Sequence, residues 1–387
     1  MRIAFLSSSS EPGRGGVGDY ERSLAGELIK RGNEARVIAL ADPFTRGIAD
    51  ELQDTEGVSV ATLRLAQSLP WHERVTRARA WLEAFAPDWV SLQFVCFGFH
   101  AKGIIYEAVS PLQTLCAPFR THWMFHELWV GPSAAQPWRV RAGFKAWGMI
   151  QRHYILRLYR SLKPRITHTN IEFHARILRQ HNIAATVLPL FSNIPRRKPT
   201  GWLGLELDRL GITQPDRKSS VLLGIFGSIH AEWTTDGWLE HLIDGARKKG
   251  RRVAILGIGR LHAAGNARFQ ALAAGNRNHM VVHHFGEQPV ERVSEFLQTV
   301  DGGISMMQRS LLGKSSTFAA MLDHNVPVLV TRTDDAIDRE RARARVLQDI
   351  DEFLGNLGNP LPPRNSSLLE DAASSLVTQL RVPQGSS

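Results

Sequence analysis

"EPGRGGVGDY" (residues 11–20) is the stretch whose reading decides the fold. It follows the short apolar run "RIAFLS" and precedes Leu24, Leu28 and Ile29 at helical spacing; "RGNEARVIAL" then turns into a second apolar run. Strand, glycine loop, helix and strand make a βαβ start, which favours a parallel sheet covered by helices. Gly13, Gly15 and Gly18 also fit Gly-x-Gly-x-x-Gly, the dinucleotide-binding pattern, with Asp42 near the place of a ribose-binding acid. In that pattern the first glycine follows its strand almost at once. Here "SSSEP" separates Gly13 from Ser7, so the loop is longer and wider than the pattern tolerates. Gly15, Gly16 and Gly18 leave backbone N–H groups uncovered at a helix start, where negative charge is favoured. The loop therefore fits an anion without specifying a cofactor, and a plain structural turn is the other reading.

Further along, "DWVSLQFV" and "RITHTN" read as strands, residues 73–85 and 139–162 as helices, and "ATVLPLFSNIP" as the last strand of the first half. "RRKPTGWLGLELDRLGITQPDRKSS" is rich in Pro, Gly and charge, as an interdomain connection would be. A second strand–helix series follows in "SVLLGIFGS", "GWLEHLIDGARKKG", "RVAILGIG", "HMVVHHFG", "PVERVSEFLQTV", "GGISMM", "STFAAMLDH" and "PVLVT". The expected fold is α/β, with two doubly wound Rossmann-like domains facing across a cleft. The boundaries are 1–195 for the first domain, 196–219 for the linker, 220–365 for the second domain, and 366–387 for a C-terminal helix and tail ending in "RVPQGSS".

Bulk properties narrow the class. The chain has 387 residues, too many for one ordinary core, with 43% hydrophobic and 22% charged residues and no low-complexity tract. The apolar run in "MRIAFLSSSS" is too short for a signal peptide, and no run is long enough to span a bilayer. Cys96 and Cys116 lack C-x-x-C spacing, which fits a reducing cytoplasm and argues against structural zinc. The formal charge of +10 predicts attraction to anions.

The ordered wording of the chain resembles glycosyltransferase family 4, whose members have the two-domain GT-B fold. "MRIAFLSSSSEPGRGGVGDYERSLAGELIKRGNEARVIAL" resembles the family's opening, and "THWMFHELW" the segment carrying a histidine in the acceptor domain. "VLPLFSNIP" resembles the end of that domain, and "LLGIFGSIHAEWTTDGWLEHL" the opening of the nucleotide-sugar domain. "VVHHFGEQPVERVSEFLQTVDGGISMM" followed by "AAMLDHNVPVLVT" resembles the donor site, so the resemblance spans roughly residues 1–335. It implies that Gly15, Gly16, Val17 and Gly18 lie over the donor diphosphate, and that Gly227, Ser228, Phe285 and Gly286 belong to the donor site. It implies too that His126 contacts the donor sugar near the reacting carbon, with Glu127 beside it. By the same resemblance no metal or other cofactor is expected; the nucleotide sugar is a co-substrate. Retention of anomeric configuration is assigned by analogy alone.

The chain departs from that family in its donor clamp. The usual Arg and Lys after the first strand of the second domain are absent from "FGSIHAEWTTDG", where His230 is the only potential cation. Counting back from Pro327 puts Ala320 and Leu312 where two glutamates usually stand. Nearby is "GKSST", but a P-loop needs glycine at position 308, which is Gln. Lys314, Ser315, Ser316 and Thr317 still open a helix, where a lysine and hydroxyls make a competent diphosphate site. We expect Lys314 to replace part of the missing clamp; the plainer reading is that one of the hydroxyls caps the helix. His126 and Glu127 end an apolar segment at the usual ligand edge; a core histidine satisfied by backbone is the other reading of His126, and the only role His122 suits. Asp19 reads as a helix-cap or acceptor-side residue, with Tyr20 beside it on the acceptor side. His283 and His284 end a strand before "FG".

Between residues 128 and 171 there is no Asp or Glu. Within it, Val140, Phe144, Trp147, Tyr154, Leu158 and Leu162 recur near helical spacing, with Arg141, Lys145, Arg152, Arg160 and Lys163 between them. Such a helix either buries its stripe in its own domain or lies on anionic lipid. The expected protein is thus a cytoplasmic glycosyltransferase; burial of the stripe is the plainer reading of residues 138–163, and peripheral contact with the inner membrane face is the other. The enzyme would transfer sugar from a nucleotide-diphosphate donor to a glycan, lipid-linked or small-molecule acceptor. A silent GT-B protein that binds a glycan or a protein partner is the main alternative; an epimerase and an NAD enzyme stand behind it. Nucleic acid is excluded as a partner, because the basic residues lack the interleaved motif of a reader fold.

Overall fold

The computed structural model describes all residues except 132–137, 230–232, 236, 276–279, 333–338, 360, 363 and 383–387. His230 and most of the expected tail lie outside the described residues. The chain divides into two compact units: Met1–Leu190 with Leu369–Ser387, and Phe191–Leu368.

In the first unit the order is β1 (Arg2–Ser7), α1 (Gly16–Lys30), β2 (Glu34–Asp42), β3 (Ile48–Thr55), β4 (Val58–Ala66), α2 (Trp71–Phe85) and β5 (Trp89–Phe94). There follow α3 (Cys96–Phe99), α4 (Tyr106–Cys116), β6 (Thr121–Phe125), α5 (Trp138–Leu162), β7 (Ile166–Thr169), α6 (Glu172–Arg179) and the two-residue β8 (Thr186–Val187). The sheet order is β3-β4-β2-β1-β5-β6-β7-β8, parallel except for β3, which pairs antiparallel with β4. Glu56 and Gly57, both at positive φ (53° and 76°), turn that hairpin. Central strands read as apolar runs because both faces are covered. Phe94, Trp123 and Phe125 are fully buried, with Trp123 and Phe125 stacked at 4.9 Å between ring centroids. α1 ends where Gly32 (φ 76°) donates to the Ile29 carbonyl and Asn33 to that of Leu28, a Schellman ending.

In the second unit α7 (Trp202–Arg209) and α8 (Gln214–Arg217) precede β9 (Ser220–Phe226), α9 (Trp238–Lys248), β10 (Arg252–Ile258), α10 (Ala263–Gly275) and β11 (Met280–His284). α11 (Val290–Thr299), β12 (Gly302–Ser305), α12 (Ser316–Asp323), β13 (Val328–Val330) and α13 (Arg339–Gly355) complete it. Its sheet is wholly parallel, in the order β11-β10-β9-β12-β13.

Two features differ from the sequence reading. Residues 196–219 are not a bare connection, since they carry α7 and α8. The carboxylate of Glu295 accepts from the backbone N–H groups of Thr200 and Leu203 (2.8 and 2.9 Å), fastening the start of α7 to α11. Arg217 grips Asp301 through two parallel bonds of 2.9 and 3.0 Å. The last helix, α14 (Leu368–Arg381), is also no appendage: all but its first residue belong to the first unit. There it buries Ala372, Ala373, Leu376 and Leu380, and Gln379 accepts from His168 at 2.7 Å.

Candidate functional site

Both sheets reverse strand order at one place, β1/β5 in the first unit and β9/β12 in the second, and in such sheets ligands bind beyond the carboxyl ends of the strands there. Most of the residues singled out from sequence lie at these two edges.

At the first edge the glycines have separate tasks. Gly13 (φ 71°) makes the turn, and its N–H donates to the Asp19 carboxylate at 2.9 Å. Asp19 also pairs with Arg22, so its side chain turns back to clasp the loop. A Cβ on Gly18 would come within 2.7 Å of the Ser9 carbonyl oxygen, so this glycine is needed for α1 to pack onto the loop. Gly15 and Gly16 are exposed, open space surrounds the place of a Cβ on each, and the N-terminus of α1 has no side-chain cap. Val17 is half-buried. The anion-ready part of the loop is therefore Gly15 and Gly16, while Gly18 serves packing.

Asp42 does not wait for a ribose. Its carboxylate is fully buried and accepts from Arg64 Nε at 2.8 Å, from the Phe44 N–H at 2.9 Å and from the Ser10 N–H at 3.2 Å. Burial alone would raise its pKa, but the Arg64 guanidinium and the two backbone donors outweigh that and hold it below the usual carboxylate range. Arg64 also pairs with Glu51 and Glu11. Beside this network lies Glu21, fully buried and bonded to the Ser7 hydroxyl at 2.5 Å. Burial pushes its pKa well above the ordinary value, against the opposing pull of Ser7, Arg22 and Ser10. Nothing in the motif pattern marked Glu21; its place in a helix otherwise read for Leu24, Leu28 and Ile29 hid it.

His126 follows β6 at the same edge and is 5% exposed. Its N–H donates to the Phe94 carbonyl at 3.1 Å, its Nε2 bonds Gln93 Oε1 at 2.8 Å, and its ring meets that of Tyr20 edge-on at 4.9 Å. Tyr20, expected on the acceptor side, is instead a buried support for His126 (3% exposed). Glu127 is half-buried; after burial itself, its charge is the second influence pushing the Cys96 thiol up to about 12. His122 is a core residue, fully buried between Ser91 Oγ (2.8 Å) and His168 Nδ1 (2.9 Å). Burial first, then His168 and His126, hold its pKa well below the ordinary value.

At the second edge three glycines in the left-handed region follow successive strands: Gly227 (φ 90°), Gly259 (φ 111°) and Gly286 (φ 70°). The Gly227 N–H donates to the Ile258 carbonyl at 2.9 Å and the Gly259 N–H to that of Gly286 at 2.8 Å, lacing the three strand ends together. Gly259, two residues after Gly257 in "RVAILGIG", was read only as the end of a strand. Beside this lacing a cavity of about 40 Å³ is lined by Ser228, Ser305, Ser315 and Thr317 over a floor of Ile225, Phe226, Met306 and Met321. Ser315 caps α12, its Oγ accepting from the Phe318 N–H at 3.1 Å and bonding Thr317 Oγ1 at 2.9 Å. Lys314 closes the 3-10 turn Arg309–Lys314 just before that cap, and Ser316 is exposed. The Phe285 ring packs against Trp202 (5.1 Å) and Phe296 (6.2 Å), which leaves its backbone at the edge. His284 Nδ1 accepts from the Gly286 N–H at 3.0 Å, and burial, then His283, lowers its pKa. Ala320 is fully buried in the core, so a carboxylate there would face apolar neighbours.

Among the described residues no group of three or more His, Cys, Asp or Glu side chains is placed to hold a metal ion. No helix among them is long and apolar enough to cross a membrane.

A parallel sheet in this order defines a Rossmann-like unit, and two in succession place the chain in the GT-B fold class. No family model matches the sequence. No curated protein matches it either. Among solved structures, Anabaena HepE in complex with UDP aligns over 98% of this chain and 95% of its own at a TM-score of 0.52 and 12% identity. WaaG, a glycosyltransferase involved in lipopolysaccharide biosynthesis, aligns over 97% and 99% at 0.52 and 13% identity. The catalytic domain of Arabidopsis thaliana starch synthase IV, bound to ADP and acarbose, aligns over 98% of both chains at 0.50 and 12% identity. At such identities the likeness is one of fold.

Proposed function

We propose that this chain is a glycosyltransferase of the family 4 kind, taking a nucleotide-diphosphate sugar as donor. The observation that carries the reading is the second unit's edge: Ser228, Ser315 and Thr317 line one cavity beside the start of α12, where strand order reverses. The fold likeness to HepE bound to UDP and to starch synthase IV bound to ADP and acarbose supports it.

Departure of a nucleoside diphosphate leaves an oxocarbenium-like sugar and builds negative charge on the leaving group, so neutralising that charge is the main task. The N–H groups of α12 and the hydroxyls offer it dipoles, and Lys314 supplies the charge that an Arg–Lys clamp would otherwise bring. The Gly15 and Gly16 N–H groups are a second anion-ready element, and His126 is the group assigned to the sugar, with retained configuration. The test is calorimetric titration with UDP, ADP and GDP and their sugars, repeated with Lys314→Ala and Thr317→Val. One nucleoside series should bind and weaken at least tenfold in Lys314→Ala, about 1.4 kcal/mol. Absence of binding by every nucleotide would sink the reading.

We propose further that the acceptor is lipid-linked, a reading that the surface of α5 supports. Gly148 packs so tightly that a Cβ would meet the Val130 carbonyl oxygen at 2.1 Å, and Gln151 bonds the Val130 N–H and the Lys102 carbonyl, each at 2.8 Å. The core therefore holds the second half of the helix, through Ile155, Leu156 and Leu158. The stripe expected from sequence starts too early, since Val140 is exposed. On the side away from the anchor, Trp138 (72% exposed), Met149 and Ile150 share an outward face with Ala142 and Ala146, with Arg139, Arg141 and Lys145 on and beside it. Exposed Trp among basic residues suits an anionic bilayer surface.

A further inference from the structure

The polar side chains beneath His126 form an unbroken line. Gln93 Oε1 meets His126 Nε2 at 2.8 Å, and Gln93 Nε2 donates to Ser91 Oγ at 2.7 Å. Ser91 Oγ meets His122 Nδ1 at 2.8 Å, His122 Nε2 meets His168 Nδ1 at 2.9 Å, and His168 Nε2 meets Gln379 Oε1 at 2.7 Å. Ser91, Gln93, His122 and His168 are all essentially inaccessible to water, so each must find its partners within the line.

Donor and acceptor roles follow by alternation. Gln379 Oε1 can only accept, so His168 carries its proton on Nε2 and accepts at Nδ1. His122 then carries its proton on Nε2 and accepts the Ser91 hydroxyl proton at Nδ1. Ser91 accepts from the Gln93 amide, whose oxygen is left to accept from His126 Nε2–H. Every bond runs one way, from β6 across β5 and β7 to the last helix. Gln379 is itself held by Ser375, whose hydroxyl accepts from Nε2 at 3.1 Å, and by Thr186, whose hydroxyl donates to Oε1 at 3.4 Å.

We propose that Gln379 on α14 is a positioning residue that sets the tautomer of His126 through His168, His122, Ser91 and Gln93, keeping the proton on Nε2 and Nδ1 unprotonated. The functional side of this rests on the assignment of His126 to the donor sugar: the tautomer decides whether Nδ1 presents a lone pair or an N–H to that side. The reversed line needs both glutamine amides turned over, and every imidazole proton then moves to the other nitrogen with no change in net charge.

The test replaces the half-buried end of the line. Gln379→Glu accepts as the amide oxygen does; Gln379→Lys can only donate. Long-range ¹⁵N–¹H correlation spectra of histidine-labelled full-length protein should show His126 protonated on Nε2 in the wild type and in Gln379→Glu, and on Nδ1 in Gln379→Lys. Adding Ser91→Ala to Gln379→Lys cuts the line, so His126 should no longer follow residue 379 and should show two signals, as in a line with no bias at its end. If Gln379→Lys fails to fold, Gln379→Leu serves, with two His126 signals in place of one. A wild type with the proton on Nδ1, or a His126 unmoved in both the Lys and Leu variants, overturns the proposal. The spectra need no turnover. A tautomer that follows residue 379 in a protein that transfers no sugar keeps the line and removes the transferase reading. Where transfer is found, Gln379→Lys should lower kcat about 10- to 100-fold with donor KM within about twofold, the rate being taken per folded protein as counted by donor titration, since loss of folded protein by itself also lowers apparent kcat at constant KM.

Discussion

The rings of Tyr20 and His126 meet almost at right angles, 79° between planes, with centroids 4.9 Å apart. A helix that opens on exposed glycines thus delivers, five residues on, the wall against which a histidine of another element rests. Tyr20→Phe should keep that wall, with unfolding free energy within about 1 kcal/mol of wild type, whereas Tyr20→Ala should cost about 3–5 kcal/mol as buried aromatic truncations do. Chemical denaturation measures both; equal losses would mean that the hydroxyl rather than the ring matters.

Asp42 and Arg64 predict an acid-side loss. The folded-state pKa of Asp42 lies below its unfolded value, so its stabilisation is present above the unfolded pKa, about 3.9, and is lost as pH falls through the folded value. Asp42→Ala, which takes from Arg64 the most buried of its three carboxylates and leaves it Glu11 and Glu51, should cost about 1–3 kcal/mol at pH 7. The gap to wild type should narrow in urea unfolding as pH drops towards about 3. A gap independent of pH would show that packing, not charge, holds the pair.

Glu21 predicts the opposite slope. Its folded pKa is raised, so the stabilisation from keeping the proton is full below the unfolded value and is lost as pH rises through the folded one. Glu21→Gln carries the neutral shape permanently. As pH rises above the unfolded value, about 4.3, the wild type should lose stability relative to that variant, by up to about 1.4 kcal/mol per unit. Parallel curves for the two proteins would mean that Glu21 is ionised in the fold.

The laced strand ends of the second unit predict unequal costs for small changes. Gly227→Ala must hold φ at 90° and meet the Thr317 methyl at 2.9 Å, and should lose about 1–3 kcal/mol. Ser315→Ala removes the α12 cap for about 1 kcal/mol. Thermal unfolding reads both, and a tolerated Gly227→Ala would show that the lacing is looser than the backbone bonds indicate.

The outward face of α5 predicts vesicle binding. Sedimentation with phosphatidylglycerol vesicles should pull down the wild type, less so Trp138→Ala with Ile150→Asp, and not at all neutral vesicles at about 0.15 M salt, where surface charge acts over about 8 Å. Equal recovery on neutral vesicles would remove the electrostatic part of the argument.

Alternation of apolar strands with helices was legible where strands are parallel and central, because strands covered on both faces read as short apolar runs. The β3–β4 hairpin was not picked out: β3, "IADELQDT", is an edge strand with one buried residue, Gln53, and carries no apolar period. At the candidate site the glycine spacing was visible, but the division of labour was not. What separates Gly18 from Gly16 is the approach of Ser9, a packing fact with no local signature. Asp42 looked ribose-ready because its partner Arg64 lies 22 positions away. Ser91 and Gln93 did leave a trace, as two polar residues on the same face of an otherwise apolar strand, yet the rest of the line stands on β6, β7 and α14.

The return of α14 to the first unit reverses the usual order in which a two-unit chain can mature on the ribosome. Leu376 and Leu380, which close part of that unit's core, are synthesised only after the whole of residues 191–368. At about 5–20 residues per second the earlier half waits on the order of tens of seconds, exposing the apolar surface those leucines will cover, while the later half already has all of its own chain. The unit that begins first is completed last, and a nascent chain stalled near its end leaves the unit with His126, not the one with the α12 crevice, for a chaperone to hold.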